Sequence, residues 1–80
     1  MKKIEIISID RIGLVGEISK IISRVNGNII THTANVISDG QTAFSHFSAA
    51  VDLDKECDTE NLSRRLKKIK NVRQVKIIDI

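Results

Sequence analysis

The stretch IDRIGLVGEI, residues 9–18, lies where an apolar strand gives way to an amphipathic helix. Before it, residues 3–9 are rich in β-branched side chains, which is typical of a strand. After it, apolar side chains recur with the period of one helix face over residues 12–25. A helix N-terminus leaves partly positive backbone N–H groups unpaired, so this turn suits a carboxylate, whether that of Asp10 or that of a small ligand.

Length and composition indicate one small soluble domain, and we take residues 1–80 as a single unit. A chain of this size hides only roughly 60 to 65% of the surface that its unfolded form exposes, so a partner surface would help to stabilise it. No apolar run approaches the ~18 residues of a membrane span. Glu5 and Asp10 interrupt any signal-peptide core, and the single Cys57 favours a reducing compartment. We therefore expect a cytoplasmic protein.

The remainder of the chain predicts a hairpin, a second helix and a last strand. Residues 28–51 read as two strands around the turn dipeptide Asp39-Gly40, whose two-residue loop would pair Ser38 with Gln41. This register places Ile30 on the face that meets the helices. A helix over 59–70 has Asp58 or Thr59 as its N-cap and a buried stripe of Leu62, Leu66 and Ile69, and a strand follows over 72–78.

The resulting order β-α-β-β-α-β predicts an α+β fold. Right-handed crossovers favour a four-stranded antiparallel sheet in the order 4-1-3-2 with both helices on one face, the ferredoxin-like arrangement. In this order the second strand lies at an edge of the sheet.

The residues indicate neither a catalytic site nor a metal site. The hairpin register places His32 at the margin of the core face and His46 on the open face opposite Thr33, so they cannot complete a tetrahedral site with Cys57. Gly13 and Gly16 lack the spacing of a phosphate-binding loop, and Gly16 instead permits a helix, a sheet or a ligand to approach closely. We expect no catalytic residue, no metal and no cofactor.

Positive charge is concentrated late in the chain. The formal net charge is +3, and seven of the thirteen basic residues follow Asn61. This pattern fits either a solvated helix face or a surface for an acidic partner such as ribosomal RNA. Phe44 alone would lie on the exposed sheet face, which is too little for a platform on which single-stranded bases stack.

The run Asp10-Arg11-Ile12-Gly13-Leu14, with Ile18 after it and Asn28-Ile29 at the next strand, resembles the signature of ACT domains. The hairpin, the end of the third strand and the closing strand fit as well, so the resemblance covers essentially the whole chain. The Asp-Arg form is most similar to the C-terminal ACT domain of RelA/SpoT enzymes, which make and degrade (p)ppGpp. The resemblance implies a regulatory domain that binds an amino acid, often at a dimer interface.

The resemblance also implies the ligand contacts, which are Asp10, the backbone of Arg11, Ile12, Gly13 and Leu14, and Asn28. Serine-sensing members carry a further side chain, typically His, at the position of Ser8, and this departure puts serine in doubt. A branched-chain amino acid is our guess for the ligand. The alternative is that Asp10 caps the helix, that Gly13 and Gly16 serve packing and that Asn28 only ends the helix.

Helix length separates these contacts within one chain. A helix over 12–25 is roughly 20 Å long at 1.5 Å per residue, so one amino acid cannot touch both Asp10 and Asn28 of the same copy. Pairing the second strand with its counterpart in a second copy, antiparallel about a two-fold axis, would carry one Asn28 towards the other Asp10. We therefore expect a homodimer with two shared sites.

Two kinds of function follow from these residues. The first is an amino-acid sensor that controls the catalytic region of a RelA/SpoT-type (p)ppGpp synthetase/hydrolase, a GTP pyrophosphokinase, in the stringent response. A free-standing ACT protein, or the regulatory tail of an amino-acid biosynthetic enzyme, is the other setting. The second kind is a docking module that contacts protein or ribosomal RNA and binds no small molecule.

Overall fold

The computed structural model describes residues 1–9 and 12–80 of the chain. Six elements follow one another: β1 (Lys2–Ile9), α1 (Leu14–Arg24), β2 (Asn28–Ser38), β3 (Ala43–Asp52), α2 (Thr59–Lys67) and β4 (Val72–Asp79). The strands form one sheet in the order β2-β3-β1-β4, and every neighbouring pair is antiparallel. This confirms the predicted ferredoxin-like fold and its strand order, read from the opposite edge.

The core lies between one face of the sheet and the two helices. Alternate residues of β1 and β3 point into it, and α1 and α2 each contribute one apolar stripe. The buried apolar residues are Ile4, Ile6, Leu14, Ile18, Ile22, Phe47, Ala49, Val51, Leu62, Leu66 and Ile69. The predicted stripe of the second helix is therefore confirmed, and Asp58 is its N-cap. In the described part of the chain, no helix is long and apolar enough to cross a membrane.

The predicted two-residue hairpin loop is wrong. Ser38 pairs with Ala43 instead of Gln41, so the loop contains four residues, 39–42. The Asp39 carboxylate accepts the backbone N–H groups of Gln41 and Thr42, at 3.0 and 2.8 Å, and draws both residues into the turn. Each partner therefore moves by two residues, and because a shift of two does not exchange the faces, both faces of the hairpin keep their predicted side chains near the loop.

A bulge at the start of β2 overturns the assignment of Ile30 to the core face. The register shifts between Ile29 and Thr31, so Ile29 pairs with Val51 and packs against the core. Ile30 is 50% exposed. A β-bulge adds one unpaired residue and exchanges the faces beyond it, and a strand that begins with two isoleucines gives no sign of this in its pattern.

The same shift in hairpin register changes the cross-strand partner of His46. His46 lies opposite Asn35 instead of Thr33. His32 is exposed, and its ring stacks on buried Phe47 with the centroids 5.8 Å apart. The prediction that His32 lies at the margin of the core is consistent with this contact.

Both helices are shorter than predicted, for local reasons. Gly13 has φ 84°, which is not helical, so α1 begins at Leu14. Asn26, with φ 59°, follows the end of α1 in the left-handed conformation. Gly27 follows, and glycine is needed there for space, because a Cβ would lie 2.6 Å from Ile22 Cγ2. After α2 the chain turns at Asn71, whose φ is 74°.

Candidate ligand-binding turn between the first strand and the first helix

The predicted contacts of the turn are distributed unequally between backbone and side chain. Asp10 and Arg11 lie outside the described residues. Ile12 is 99% exposed, whereas Leu14 is 3% exposed and belongs to the core. The side chain of Leu14 is therefore not available to a ligand. Its backbone is the part that could make the contact, as the resemblance implies.

The two helix N-termini differ in how they are capped. At α2, Asp58 Oδ1 accepts the N–H groups of Glu60 and Asn61, at 3.1 and 3.2 Å. At α1 the N-cap residue is Gly13, which has no side chain to serve as an acceptor. The first-turn N–H groups of α1 thus receive no side-chain acceptor from Gly13, although the Gly13 carbonyl accepts the Glu17 N–H at 3.0 Å. An anion in front of this helix end would be stabilised by the helix dipole.

Gly16 relieves no close contact with the described residues of its own chain. It lies in the first turn of α1, it is exposed, and no described atom would come within 4 Å of a Cβ built on it. Glycine in a helix costs roughly 0.5–1 kcal/mol relative to alanine. Close approach by the described residues of the sheet or the helices, two of the three reasons predicted from the sequence, is therefore not observed.

Ser8 has a structural role that was not predicted from the sequence. It is fully buried, and its hydroxyl donates to the carbonyl oxygens of Ile9 and Asn71, both at 3.0 Å. The Asn71 carbonyl also accepts the Ile9 N–H at 3.0 Å. The available signal was the alternation, because Ser8 shares a face with Ile4 and Ile6 and a buried hydroxyl needs a partner.

Asn28 lies far from the turn in the same chain. It is the first residue of β2, it is exposed, and it pairs with Asp52 of β3. The 11-residue helix α1, about 16 Å long at 1.5 Å per residue, separates Leu14 from this end of the sheet. The structure therefore does not bring Asn28 together with the turn within one copy.

The edge strand β2 is open to solvent along almost its full length. Every residue of β2 except Ile29 is exposed, and Val36 and Ile37 are 61% and 59% exposed. Among the described strands, only β3 is hydrogen-bonded to it. An edge strand of this kind presents unpaired backbone groups to a further strand.

Three cavities of the described residues lie away from the turn and from Asn28. One of about 320 Å³ lies beside the beginning of β1, between Lys2, Leu53 and Cys57. Another of about 380 Å³ lies against β2 and β3 near Thr31 and Ser48. A third, of about 260 Å³, lies between α1 and Ile69, which follows the end of α2, and is here called the groove between the helices. Ile12, Gly13, Leu14 and Asn28 line none of these three cavities.

Ion pairs perturb carboxylates away from the turn. A hydrogen bond from Lys3 holds the pKa of Glu5 below its ordinary value, and the ammonium of Lys2 does the same to the pKa of Asp79. Both pairs are partly exposed and lie near the beginning of β1. Within residues 1–9 and 12–80, no three His, Cys, Asp or Glu side chains are grouped so that they could hold a metal ion.

Known proteins resemble this chain in sequence and in fold. The ACT domain family model matches residues 2–76. The ACT domain of GTP pyrophosphokinase from Chlorobium tepidum has a TM-score of 0.73 and 23% identity, over 96% of this chain and 95% of that one. An ACT domain protein from Streptococcus pneumoniae has a TM-score of 0.75 and 22% identity, over 95% and 84%.

The fold also recurs as part of longer proteins. A formyltetrahydrofolate deformylase from Pseudomonas putida superposes with a TM-score of 0.79 at 8% identity, over 99% of this chain and 28% of that one. No curated protein matches the sequence. At these identities the structures show the shared fold, and the family is shown by the sequence match over residues 2–76. The resemblance found in the sequence is confirmed, and the chain belongs to the ACT domain family.

Proposed function

We propose that this ACT domain senses a small amino acid at a site built by two copies of the chain. One copy contributes the turn, with Asp10, the backbone of residues 11–14 and the exposed side chain of Ile12. The second copy contributes Asn28 at the beginning of β2. ACT domains are regulatory and not catalytic, so the role of the site is to bind and not to transform the ligand.

Gly16 is the observation that carries this proposal. A residue that costs helix stability and relieves no contact with the described residues of its chain fits a position that something outside the chain approaches. It lies within one turn of the helix N-terminus, where a ligand carboxylate would meet the N–H groups.

The open edge of β2 supports the second copy. Antiparallel pairing of two β2 strands about a two-fold axis would bring the Asn28 end of one copy to the Ser38 end of the other. β1 and β2 are each antiparallel to β3 and therefore run in the same direction. The Ser38 end of β2 thus lies at the same end of the sheet as Ile9 and the turn. The two halves of the site then face each other across the dimer interface.

The helix above this edge offers a compatible surface. Gly16, Ser19 and Ser23 lie at helical spacing on α1, on the side away from the groove that α1 forms with α2. Small side chains let a second helix approach closely. Pairing of β2 strands would therefore let the two α1 helices pack beside each other.

The parent that we propose is a RelA/SpoT-type (p)ppGpp synthetase/hydrolase acting in the cytoplasm during the stringent response. The Asp10-Arg11 form of the turn and the similar fold of the GTP pyrophosphokinase ACT domain support it. Ligand binding would act on the catalytic region only through a difference in affinity between two arrangements of the paired domains. A free-standing ACT protein or the regulatory tail of an amino-acid biosynthetic enzyme would use the same site.

The experiment is a titration of the ¹⁵N-labelled chain with L-valine and L-isoleucine, followed by NMR, with D-valine as the stereochemical control. We expect the L-amino acids to shift amide resonances of residues 12–17 and 28–30 together. Shifts at neither segment with any of the twenty L-amino acids would overturn the sensing role and leave the docking module as the function.

A further inference from the structure

We propose that the helical layer of this domain binds double-stranded RNA through its phosphate backbone. The surface, here called the basic surface, consists of the exposed residues Arg64, Arg65, Lys67, Lys68 and Lys70 on and just after α2, with Lys20 and Arg24 of α1. It is separate from the turn and the β2 edge, so it goes beyond amino-acid sensing.

Charge is segregated along the chain. Residues 58–76 carry seven Lys or Arg against two Asp or Glu, a formal charge of +5. All other residues carry six basic and eight acidic side chains, a formal charge of −2. The net charge of +3 therefore understates the positive charge of this segment. Lys76 lies beside Glu5 on the uncovered sheet face, so a polyanion would approach the part of the segment at α2 first.

The packing of α2 turns these cations outward. Leu62, Leu66 and Ile69 face the core, so Arg64, Lys67 and Lys68 lie on the opposite side of the helix, at spacings of three and four residues. Such neighbours stand about 5–6 Å apart at their Cβ atoms, which makes a row of charges at close intervals. Glu60, 3.8 Å from Arg64, is the acidic group paired with this row.

The groove between the helices extends the basic surface to α1. Lys20 and Arg24 line this groove together with Ile69, and Glu17 is the acidic side chain there. Two helices side by side on one sheet face form a broad surface that cannot enter a narrow groove. The shallow minor groove of an A-form RNA duplex, with phosphates on both rims, suits such a surface better than B-form DNA does.

Other acidic partners fit less well. A membrane surface would require exposed apolar side chains beside the cations, and the described residues of α1 and α2 include no exposed large apolar side chain. Single-stranded RNA would require stacking aromatics. Phe47 is fully buried, and Phe44 lies on the sheet face that the helices do not cover.

The test measures binding of the chain to a fluorescent 20-base-pair RNA duplex over a series of salt concentrations. If four cations contact phosphates, log K should fall against log salt with a slope of about −3 to −4. The triple variant Arg64→Gln, Lys67→Gln, Lys68→Gln should reduce that slope by about 2 to 3 and weaken binding at least tenfold at low salt. The single variants Lys67→Glu and Lys55→Glu change the net charge equally, and only the first should weaken binding.

Three outcomes would overturn the proposal. Equal weakening by Lys55→Glu would show that net charge acts without a defined surface. Tighter binding to the single strand, or to a DNA duplex of the same length, would contradict backbone contacts to A-form RNA. Equal binding of polyglutamate would identify an acidic protein as the partner. The amino-acid titration reads a different surface, so failure here leaves the sensing role intact.

Discussion

The hydroxyl of Ser8 donates to the carbonyl of Asn71 at 3.0 Å, across 63 positions of sequence. This bond ties the last turn before β4 to the end of β1, immediately before the turn for which we propose ligand binding. Asn71 holds a positive φ of 74° to present its carbonyl there. The position where serine-sensing relatives place a ligand contact is thus occupied here by a buried structural hydroxyl.

Replacing Ser8 by alanine should therefore cost stability and spare the ligand. The Asn71 carbonyl would keep the Ile9 N–H, so we expect a loss of about 0.5–1.5 kcal/mol in the free energy of unfolding. Denaturant unfolding measures this, with Ser48→Ala on the uncovered sheet face as a control that should stay within about 0.5 kcal/mol. A Ser8→Ala variant with native stability but lost amino-acid binding would show that the hydroxyl serves the ligand.

Replacing Gly16 by alanine should separate stability from binding. A Cβ there meets no described atom of the chain, so the helix should gain roughly 0.5–1 kcal/mol in the unfolding free energy. Amino-acid affinity or dimer formation should fall, because the new methyl group faces the ligand or the second copy. Gly13→Ala is the contrasting variant, since its φ of 84° predicts a loss of about 1–2 kcal/mol. A Gly16→Ala domain that pairs and binds as before would remove the reason we assign to this glycine.

A charge on the β2 edge should dissociate the dimer without unfolding the chain. Val36 is 61% exposed, so Val36→Lys should change the unfolding free energy of the monomer by no more than about 0.5 kcal/mol. Sedimentation equilibrium should show a dimer for the native chain and a monomer for this variant. Ile78→Lys, on the opposite edge strand β4, is the matched control and should leave the dimer in place. Dissociation by Ile78→Lys alone would assign the interface to β4.

Acid should destabilise the folded chain at the hairpin loop, because it protonates the Asp39 carboxylate. The N–H groups of Thr42 and Gln41 hold the pKa of this carboxyl below its ordinary value. The stabilisation is therefore fully present above the unfolded pKa, about 3.9, and is lost as the pH falls through the lower folded value. The difference in unfolding free energy between the native chain and Asp39→Asn should shrink over that interval. A difference independent of pH from about 5 to 2 would contradict the role of the ionised carboxylate.

The sequence predicted the features that depend on periodicity. The strand order, the two helices and the buried stripe of Leu62, Leu66 and Ile69 all follow from where apolar residues recur. The hairpin register did not, because the Asp-Gly pair indicates a turn but not how many residues it contains. The number was decided by the side chain of Asp39, which also captures the N–H groups of Gln41 and Thr42.

Local backbone conformations account for the other differences. Ile29 and Ile30 are equally apolar, so only the bulge determines which of them enters the core. The start of α1 depended on the positive φ of Gly13, which the apolar pattern over 12–25 conceals. The role of Ser8 could have been inferred from its place on the buried face of β1. The contacts of Asp10 and Arg11 lie outside the described residues and remain predictions.

Subunit complementation tests the shared site most directly. An Asn28→Ala chain and an Asp10→Ala chain each lack one half of both sites in their own dimer, so neither should bind L-valine or L-isoleucine in a calorimetric titration. Mixed in equal amounts and allowed to exchange subunits, they should regain binding at about one quarter of all sites, because each heterodimer contains one intact site. No recovery on mixing, or native affinity in the Asn28→Ala chain alone, would contradict a site made by two copies.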